Sequence, residues 1–541
     1  MKRWFNTAGP CHLDKHYMLP AAERVEALRP LIDRQSYFVV RAPRQVGKTT
    51  SLLALAQKLT DQGTYAALHT SCEVGQKLTP DLDGSMQGIL EILVRQARQS
   101  LPTELCPPDI DREAAPESRL YDLLHRWAAQ CPRPIVLFLD EIDALYNDAL
   151  ISVLRQLRSG YHNRPDGFPH AVALIGLRDV RDYRILGRAL NGDASRNETL
   201  GTASPFNIKS DSLSLPNFTQ GEVATLYDQH TEDTGQVFSD DAKAKAFELT
   251  NGQPWLINAL ARQLVETLVP DPEQTITVDH LDLAKEILIR RRDTHLDSLL
   301  DRLREPRVQR VLEPILVGEM PEDEVLDDDL QLVKDLGLVD LGDGGLQIAN
   351  PIYREIIPRA LTSMVEHFVP LRRAAYVESD GRLDWKALLD GFTSFWKQNA
   401  EWMLRRQPYS EAAAQLVFMA FLHRLVNGID LRPEVLDGQS TIATVDREFA
   451  VGSGRIDLLI RWPVPGQASQ RFAVELKVRR DGAADPLADG LRQLSRYLDR
   501  LELDTGTLIL FDLRQDAPPM GERCSITVEA HEGRELQILR L

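Results

Sequence analysis

The fold is decided by residues 36–50, which read SYFVVRAPRQVGKTT. Aromatic and β-branched residues dominate the first six positions and predict a strand, and the apolar spacing of residues 48–61 predicts a helix. Between them lies a short loop that contains Gly47 and Lys48. The amides of such a loop and the N-terminus of the helix can surround an anionic phosphate. The stretch therefore predicts a phosphate-binding strand–loop–helix unit.

Short apolar runs alternate with helical stretches along the first 200 residues. Predicted strands cover residues 36–41, 65–70, 135–140 and 171–176, and predicted helices cover 48–61 and 87–100. This alternation predicts a mostly parallel sheet with helices on both faces. From about residue 219 to residue 293 the apolar spacing is helical throughout. Helices and then two apolar runs around a Gly-Asp-Gly-Gly turn at residues 342–345 suggest a winged helix.

The loop at residues 42–50 is similar to the Walker A motif, with a strand before it and a helix after it. In this interpretation Lys48 reaches the β- and γ-phosphate oxygens, and the Thr49 hydroxyl ligates Mg²⁺. The residues predicted to bind the nucleotide are Arg44, Gln45, Val46, Gly47, Lys48, Thr49 and Thr50. Ala42 stands where the motif has its first glycine. The competing interpretation is a plain strand–turn–helix with an exposed lysine.

A second apolar run ends in carboxylates at residues 134–143, PIVLFLDEID, a pattern like the Walker B motif. A buried strand can place Asp140 beside the metal, which it would hold through water. The adjacent Glu141 is suited to orient the attacking water as a general base. A charged turn after a buried strand is the alternative. The two motifs in this order predict that ATP and Mg²⁺ are bound and that ATP is hydrolysed.

Together the motifs resemble the AAA-like P-loop ATPases related to the STAND group, over about residues 1–370. The resemblance implies a helical lid and a winged-helix domain after the core. It also implies that Gly252 and Pro254 of a Gly-x-Pro motif lie near the adenine. Arg178 lies just after the predicted strand 171–176, and this position predicts that it senses the γ-phosphate. Without the resemblance, residues 252–255 are a helix-start turn with proline near the first helical position.

An arginine finger is not assigned by the sequence. Arg155 and Arg158 follow the second motif on one predicted helix face. Either can reach a neighbouring subunit of a homo-oligomer, and solvated arginines on a helix surface fit the pattern equally well.

A second set of charged residues lies near the C-terminus. Asp457 is embedded in the apolar run 454–460, and Glu475 and Lys477 lie two apart in a second run. Alternate residues of a strand face the same side, so Asp457 joins the other two if the strands are neighbours. Carboxylates held together repel unless a divalent cation joins them, and a lysine beside them can position or activate water for attack on a phosphodiester. The alternative is a charge pair on an edge strand.

This arrangement is similar to that of the PD-(D/E)XK nuclease superfamily, over about residues 405–515. The resemblance implies that Asp457 and Glu475 bind Mg²⁺, with Mn²⁺ as the other candidate ion, and that Lys477 is catalytic. The other residues of the predicted catalytic set are Glu411, Gln493 and Tyr497. Ile456 precedes the aspartate where the superfamily motif has proline. The implied partner is a nucleic acid, with DNA favoured.

The composition limits the classes of function. A net charge of −17 argues against a general nucleic-acid coat, and the acidic residues at 327–335 argue against base recognition by the winged helix. No uncharged apolar run approaches the ~20 residues that span a bilayer. The N-terminus lacks the apolar segment of an export signal, and five scattered cysteines fit a reducing cytoplasm.

The predicted fold class is an α/β P-loop NTPase core with a helical lid and a winged-helix domain, plus a C-terminal α/β PD-(D/E)XK restriction-endonuclease-like domain. The predicted boundaries are 1–215 for the core, 216–293 for the lid, 294–376 for the winged helix and 377–541 for the nuclease-like domain.

The leading hypothesis is a nuclease controlled by nucleotide state, and the fused architecture suggests bacterial anti-phage defence. The alternative is a nucleotide-dependent sensor or scaffold whose nuclease-like domain binds without cutting. A DNA-processing motor, the third hypothesis, needs a track of basic residues along the core that the sequence does not show.

Overall fold

The structure is a computed structural model that describes residues 3–76, 81–145, 147–176, 209–291, 301–316, 327–342, 345–366, 376–404, 412–427, 444–451 and 454–541. The chain divides into two compact units. Unit 1 comprises Met1–Val278 and Gln331–Leu338, and unit 2 comprises Asp279–Leu330 and Val339–Leu541. None of the helices in the described ranges is both long enough and apolar enough to cross a membrane.

Unit 1 is built on a five-stranded parallel sheet. Its strands are β1 (Tyr37–Arg41), β2 (Ala66–Ser71), β3 (Ile135–Asp140), β4 (Ala171–Gly176) and β5 (Lys209–Ser214). They lie in the order β2–β3–β4–β1–β5. Parallel strands covered on both faces are continuous apolar runs, which explains the sequences of β1, β3 and β4. The carboxyl ends of β1 and β3 therefore meet at one edge of the sheet.

Helices cover both faces of this sheet. They are α1 (Arg29–Asp33), α2 (Lys48–Asp61), α3 (Leu82–Ser100), α4 (Pro116–Gln130) and α5 (Asn147–Gly160). Phe38 of β1 packs in one buried cluster with Leu52 of α2. Its neighbour Tyr37 packs in a second cluster with Leu90 of α3. Successive residues of β1 thus face opposite helical layers, as the pleat of a strand requires.

Helices follow β5 without an intervening strand. They are α6 (Gln220–Thr234), α7 (Asp240–Thr250), α8 (Pro254–Gln263) and α9 (Val278–Arg291). Gly252 lies between α7 and α8 with a φ of +69°, and a methyl group there would lie 1.9 Å from the carbonyl oxygen of Phe218. The Phe218 amide donates to the Gly252 carbonyl over 2.8 Å. The backbone before α6 and the turn before α8 therefore touch directly. Glycine at position 252 permits both this contact and the left-handed backbone.

The chain after α9 forms further helices and a short hairpin. Its elements are α10 (Pro306–Leu316), α11 (Asp327–Asp335), β6 (Val339–Gly342), β7 (Gly345–Ile348) and α12 (Pro351–Glu366). β6 and β7 pair antiparallel. Lys285 of α9 binds Glu355 of α12 over 2.8 Å, and Arg359 binds Glu286 over the same distance. These buried charges are paired, which offsets the cost of removing them from water.

Unit 2 contains a six-stranded mixed sheet. Its strands are β8 (Thr444–Val451), β9 (Gly454–Trp462), β10 (Gln470–Arg479), β11 (Thr505–Asp512), β12 (Ser525–His531) and β13 (Arg534–Arg540). The order is β12–β13–β11–β10–β9–β8. β10, β11 and β13 run parallel, whereas β9 runs antiparallel to both β8 and β10.

Two helical layers enclose the middle of this sheet. The helices are α13 (Trp385–Leu404), α14 (Ala413–Asn427), α15 (Leu487–Leu501) and the short α16 (Met520–Arg523). Leu458 and Val474 pack in the cluster that contains residues of α13 and α14. Leu459 and Ala473 pack instead with residues of α15. Odd-numbered residues of β9 and β10 therefore face α15.

The predicted strands of the first 200 residues are confirmed to within one residue at each end. β5 was not predicted, because its sequence KSDSLS is largely polar. The terminal hairpin of β12 and β13 was not predicted either. β12 is an edge strand with exposed side chains, so it lacks the apolar alternation of a half-buried strand.

We expect Gly252→Ala to destabilise unit 1 by about 2–4 kcal/mol, from the left-handed backbone and the overlap with the Phe218 carbonyl. Gly235 is the matched control, because its φ is +80° but a methyl group there would meet nothing within 4 Å. Gly235→Ala should cost only about 1 kcal/mol. Urea denaturation followed by circular dichroism compares the two, and equal shifts of the midpoint would contradict the close approach.

Candidate functional site

The loop between β1 and α2 turns by means of two left-handed residues. Gln45 has a φ of +60° and Gly47 a φ of +87°. Gly47 is the residue that caps the N-terminus of α2. Val46 between them is buried, whereas Arg44 and Gln45 are exposed. Left-handed residues in such a loop can form a concave surface of amides, which is the form of an anion-binding nest.

Lys48, the first residue of α2, is folded against this loop. Its ammonium donates to the carbonyl oxygens of Ala42 over 2.6 Å and of Pro43 over 2.8 Å. Burial lowers the pKa of Lys48 to about 8, against the opposing effect of the Asp140 and Asp143 carboxylates. The loop thus holds the Lys48 ammonium against two of its own carbonyl oxygens.

The two residues predicted to hold Mg²⁺ contact each other. Thr49 Oγ1 donates to Asp140 Oδ2 over 2.8 Å, and His69 Nε2 lies 3.0 Å from the same oxygen. The Glu141 amide donates to Asp140 Oδ1 over 2.9 Å. Burial disfavours the charge of Asp140, but the hydrogen bonds from His69, Thr49 and the Glu141 amide bring its pKa below the usual value. His69 was not predicted as a site residue; it reaches Asp140 because β2 and β3 are neighbours.

Glu141 is held by a hydroxyl of the neighbouring strand. Its backbone is left-handed, with a φ of +55°, and Ser71 Oγ donates to Glu141 Oε2 over 2.5 Å. Burial raises the pKa of Glu141, with the Ser71 hydrogen bond opposing the rise and nearby Glu73 adding to it. A carboxylate with a raised pKa is a better proton acceptor, which suits the predicted role of general base.

Two side chains hold the carbonyl groups of the loop. Arg24 donates to the carbonyl of Val46 over 3.0 Å and to that of Pro216 over 2.6 Å. Gln253 Nε2 makes a long hydrogen bond of 3.5 Å to the carbonyl of Gln45. Neither contact has a local sequence signal, since each joins segments that are far apart in the chain.

The other predicted nucleotide-binding residues are placed as follows. The Thr50 hydroxyl accepts the Cys11 amide over 3.1 Å, so it faces the N-terminal segment. Pro254 is buried at the first turn of α8. Arg178 lies outside the described residues. Arg155 and Arg158 are both exposed on α5.

The charged residues of unit 2 meet on the face of the sheet that α15 covers. β9 and β10 pair so that Leu458 lies opposite Val474, and the next step of this register puts Asp457 opposite Glu475. Lys477 Nζ lies 2.9 Å from Glu475 Oε1. Asp457 Oδ2 accepts the amide of Leu476 over 2.7 Å. Asp457, Glu475 and Lys477 are therefore brought together.

Glu475 is the electrostatically strained member of this group. It is 2% exposed, and its Oε2 is buried without a hydrogen-bond partner. Burial and the Asp457 charge raise the pKa of Glu475 to about 8, although Lys477 lowers it. The pKa of Lys477 is raised despite its burial, because Glu475 and Asp457 favour the ammonium.

α15 lies directly over this group. A methyl group on Gly490 would lie 3.3 Å from Lys477 Cγ, so the glycine permits a close approach of helix and strand. Tyr497 is buried and acts electrostatically on Lys477. Gln493 is partly buried one turn before it. Glu411 lies outside the described residues.

The donor set in each site fits a small, hard cation. Within the described ranges no three His, Cys, Asp or Glu side chains are grouped so as to hold a metal. Mg²⁺ needs fewer, because it is commonly bound through one or two carboxylates and keeps several waters. Asp457 and Glu475 supply two carboxylates with one unpartnered oxygen, and Thr49 and Asp140 supply a hydroxyl and a carboxylate.

The match to a protein family lies in unit 1. A family model described as an AAA domain matches residues 32–183, so this segment is similar to AAA-type P-loop ATPase domains. No curated protein matches the chain.

Several solved structures resemble part of the chain. The Walker-type ATPase of Pyrococcus abyssi is 13% identical, with a TM-score of 0.47, over 65% of this chain and 99% of that one. The ORC2 protein of Aeropyrum pernix is 14% identical, with a TM-score of 0.36, over 63% and 94%. The RuvB Holliday junction branch migration motor of Thermotoga maritima is 17% identical, with a TM-score of 0.33, over 62% and 92%.

We expect His69→Phe to destabilise unit 1 by about 1–3 kcal/mol, because the buried Asp140 carboxylate loses one of its hydrogen-bond partners. His162 is exposed, so His162→Phe is the control and should have an effect near zero. Urea denaturation measures both variants. A stability of His69→Phe equal to that of the wild type would show that the His69–Asp140 contact contributes nothing.

Proposed function

We propose that the chain is an ATP-hydrolysing switch whose nucleotide state controls a metal-dependent nuclease in unit 2. In this proposal the nuclease acts on nucleic acid, with DNA as the favoured substrate, and the protein serves in bacterial anti-phage defence. The observation that carries the nuclease assignment is the meeting of Asp457, Glu475 and Lys477 on one face, with a buried carboxylate oxygen that lacks a partner.

The ATPase half of the proposal rests on the AAA domain and on the contacts at the phosphate loop. Bound Mg²⁺–ATP would supply the phosphoanhydride bond that is cleaved. Lys48 would neutralise phosphate charge, and Thr49 and Asp140 would hold the metal, the latter through water. Glu141 would accept a proton from the attacking water, after its carboxylate leaves the Ser71 hydroxyl.

The nuclease half assigns a role to each residue of the second group. Asp457 and Glu475 would hold Mg²⁺ or Mn²⁺, because a divalent cation removes the repulsion between the two carboxylates. Lys477 would orient or activate the attacking water, and Gln493 and Tyr497 would support it from α15. The cation supplies charge stabilisation for the phosphodiester oxygens. Glu411 stays a prediction in this scheme.

The organisation of the chain is also a proposal. We assign residues 1–215 to the core, 216–293 to a helical lid, 294–376 to a winged-helix domain and 377–541 to the nuclease-like domain. The helices α6–α9 support the lid, and the hairpin of β6 and β7 after α11 supports the winged helix. Arg178 as a phosphate sensor and assembly into a homo-oligomer belong to the same proposal.

We expect Lys48→Ala to abolish ATP turnover and to weaken ATP binding at least about tenfold, since the loop loses its charged donor. Lys58→Ala is the matched control, because Lys58 lies on the same helix and pairs with Glu26 over 3.0 Å. Phosphate release and isothermal titration calorimetry measure the two effects. Wild-type turnover in Lys48→Ala would remove the assignment of the nucleotide site.

We expect Lys477→Ala to lower nucleic-acid cleavage by at least about a hundredfold while ATP turnover is kept. Arg471→Ala changes an exposed cation on the same strand and should cleave as the wild type does. The assay uses plasmid, linear and single-stranded DNA and RNA with Mg²⁺ or Mn²⁺, with and without ATP. A wild-type protein that leaves every substrate intact would contradict the nuclease assignment.

Metal binding separates the nuclease from the non-cleaving sensor. Paramagnetic resonance with Mn²⁺ should detect a site that Asp457→Asn or Glu475→Gln removes. Binding of nucleic acid by unit 2 without Mn²⁺ binding or cleavage would favour the sensor or scaffold instead.

A further inference from the structure

Arg24 is the side chain that joins the phosphate loop to the segment before α6. Its Nη1 donates to the Val46 carbonyl over 3.0 Å, and its Nη2 donates to the Pro216 carbonyl over 2.6 Å. The guanidinium also lies over the Phe218 ring, 4.6 Å from its centroid. A planar guanidinium with several fixed donors can bridge two carbonyls at once, which a lysine ammonium on a flexible chain cannot do with the same geometry.

The carbonyls that are held in the loop determine where its amides point. In a planar trans peptide the carbonyl of one residue and the amide of the next point in opposite directions. Arg24 fixes the carbonyl of Val46 and therefore the amide of Gly47. Gln253 binds the carbonyl of Gln45 over 3.5 Å and so orients the amide of Val46. The amides of Gly47 and Val46 therefore point away from Arg24 and Gln253, respectively.

The same side chains lead into the helices α6–α8. Phe218, under the Arg24 guanidinium, donates its amide to the Gly252 carbonyl over 2.8 Å. Gln253, the next residue, accepts the Leu256 amide with its Oε1 over 2.6 Å and so caps α8. A displacement of the loop carbonyls would therefore shift the contacts at the start of both α6 and α8.

Hydrogen bonds that share a peptide group reinforce one another. When the amides of Val46 and Gly47 donate to an anion, their peptide groups are polarised and the carbonyls become better acceptors. Arg24 and Gln253 then hold the loop more tightly. By the same linkage, a tighter hold on the carbonyls raises the affinity of the amides for the anion.

We propose that Arg24 is a positioning residue that couples nucleotide binding at the phosphate loop to the placement of α6–α8, with Gln253 as the second contact. The proposal rests on the nucleotide site proposed above, and it adds the route by which the bound state reaches these helices.

The test measures nucleotide affinity and the emission of Trp255, in the full-length protein. Trp255 follows Pro254 in α8, is 7% exposed and donates its indole to the Thr7 carbonyl over 2.9 Å. Its emission should therefore respond to a shift of α8. The ligands are ADP and a non-hydrolysable ATP analogue, and Trp255→Phe identifies the part of the signal that belongs to this residue.

We expect Arg24→Ala to lower the affinity for both nucleotides by about tenfold. It should also remove the change in Trp255 emission at saturating nucleotide. Arg24→Lys should keep part of both effects, because one charged donor remains. Arg29→Ala is the matched control, since Arg29 pairs with Asp33 over 2.9 Å nearby and should behave as the wild type. Urea denaturation of each variant confirms that unit 1 is folded under the assay conditions.

The outcomes separate this proposal from the function on which it rests. Arg24→Ala with a full Trp255 response at saturating nucleotide would overturn the coupling and leave the nucleotide site in place. A wild-type response that is absent although nucleotide binds would overturn it too. Failure of the wild-type protein to bind either nucleotide would overturn both the coupling and the proposed function.

Discussion

A buried carboxylate on a strand must find partners, and this constraint organises both candidate sites. Asp140 ends the fully buried strand β3 and is itself 2% exposed. An unpaired carboxylate in such a place would be neutralised or would destabilise the fold. Its ionised form is kept by Thr49, His69 and the Glu141 amide, which belong to α2, β2 and the turn after β3. The carboxylate thus fixes the positions of three elements around the phosphate loop.

Glu475 meets the same constraint in a different way. It is as buried as Asp140, but one of its oxygens has no hydrogen-bond partner and its pKa is raised to about 8 by burial and by Asp457. Protein donors bind both oxygens of Asp140, whereas Lys477 contacts Oε1 of Glu475 and its Oε2 has no hydrogen-bond partner. A divalent cation would supply a positive charge at Glu475 Oε2, and this contrast supports the proposal that the second group is a metal-binding site and not a structural ion pair.

The sequence contains those parts of both sites that are local in the chain. Continuous apolar runs predict β1 and β3, and the period of two in β10 predicts that Glu475 and Lys477 share a face. The contribution of His69 could not be predicted, because it depends on β2 lying next to β3 and on their register. Arg24 and Gln253 act through the carbonyls of residues far away in the chain, and backbone acceptors leave no trace in the sequence. The residues proposed to perform chemistry are thus recognisable in the sequence, whereas the contacts of His69, Arg24 and Gln253 are seen only in the structure.

The contacts of Arg24 also constrain how control can operate in unit 1. Coupling between nucleotide binding and the placement of α6–α8 is reciprocal. In the proposed coupling, bound nucleotide favours one placement of these helices by a certain factor, and that placement raises the affinity for nucleotide by the same factor. Whatever stabilises these helices from outside, whether a partner or another copy of the chain, would then raise the affinity for nucleotide without contacting it. The close approach of Phe218 to Gly252 makes this possible, because two backbones in direct contact cannot shift independently. In the proposed coupling, the placement of α6–α8 can therefore be changed either by nucleotide at the loop or by a partner that binds these helices.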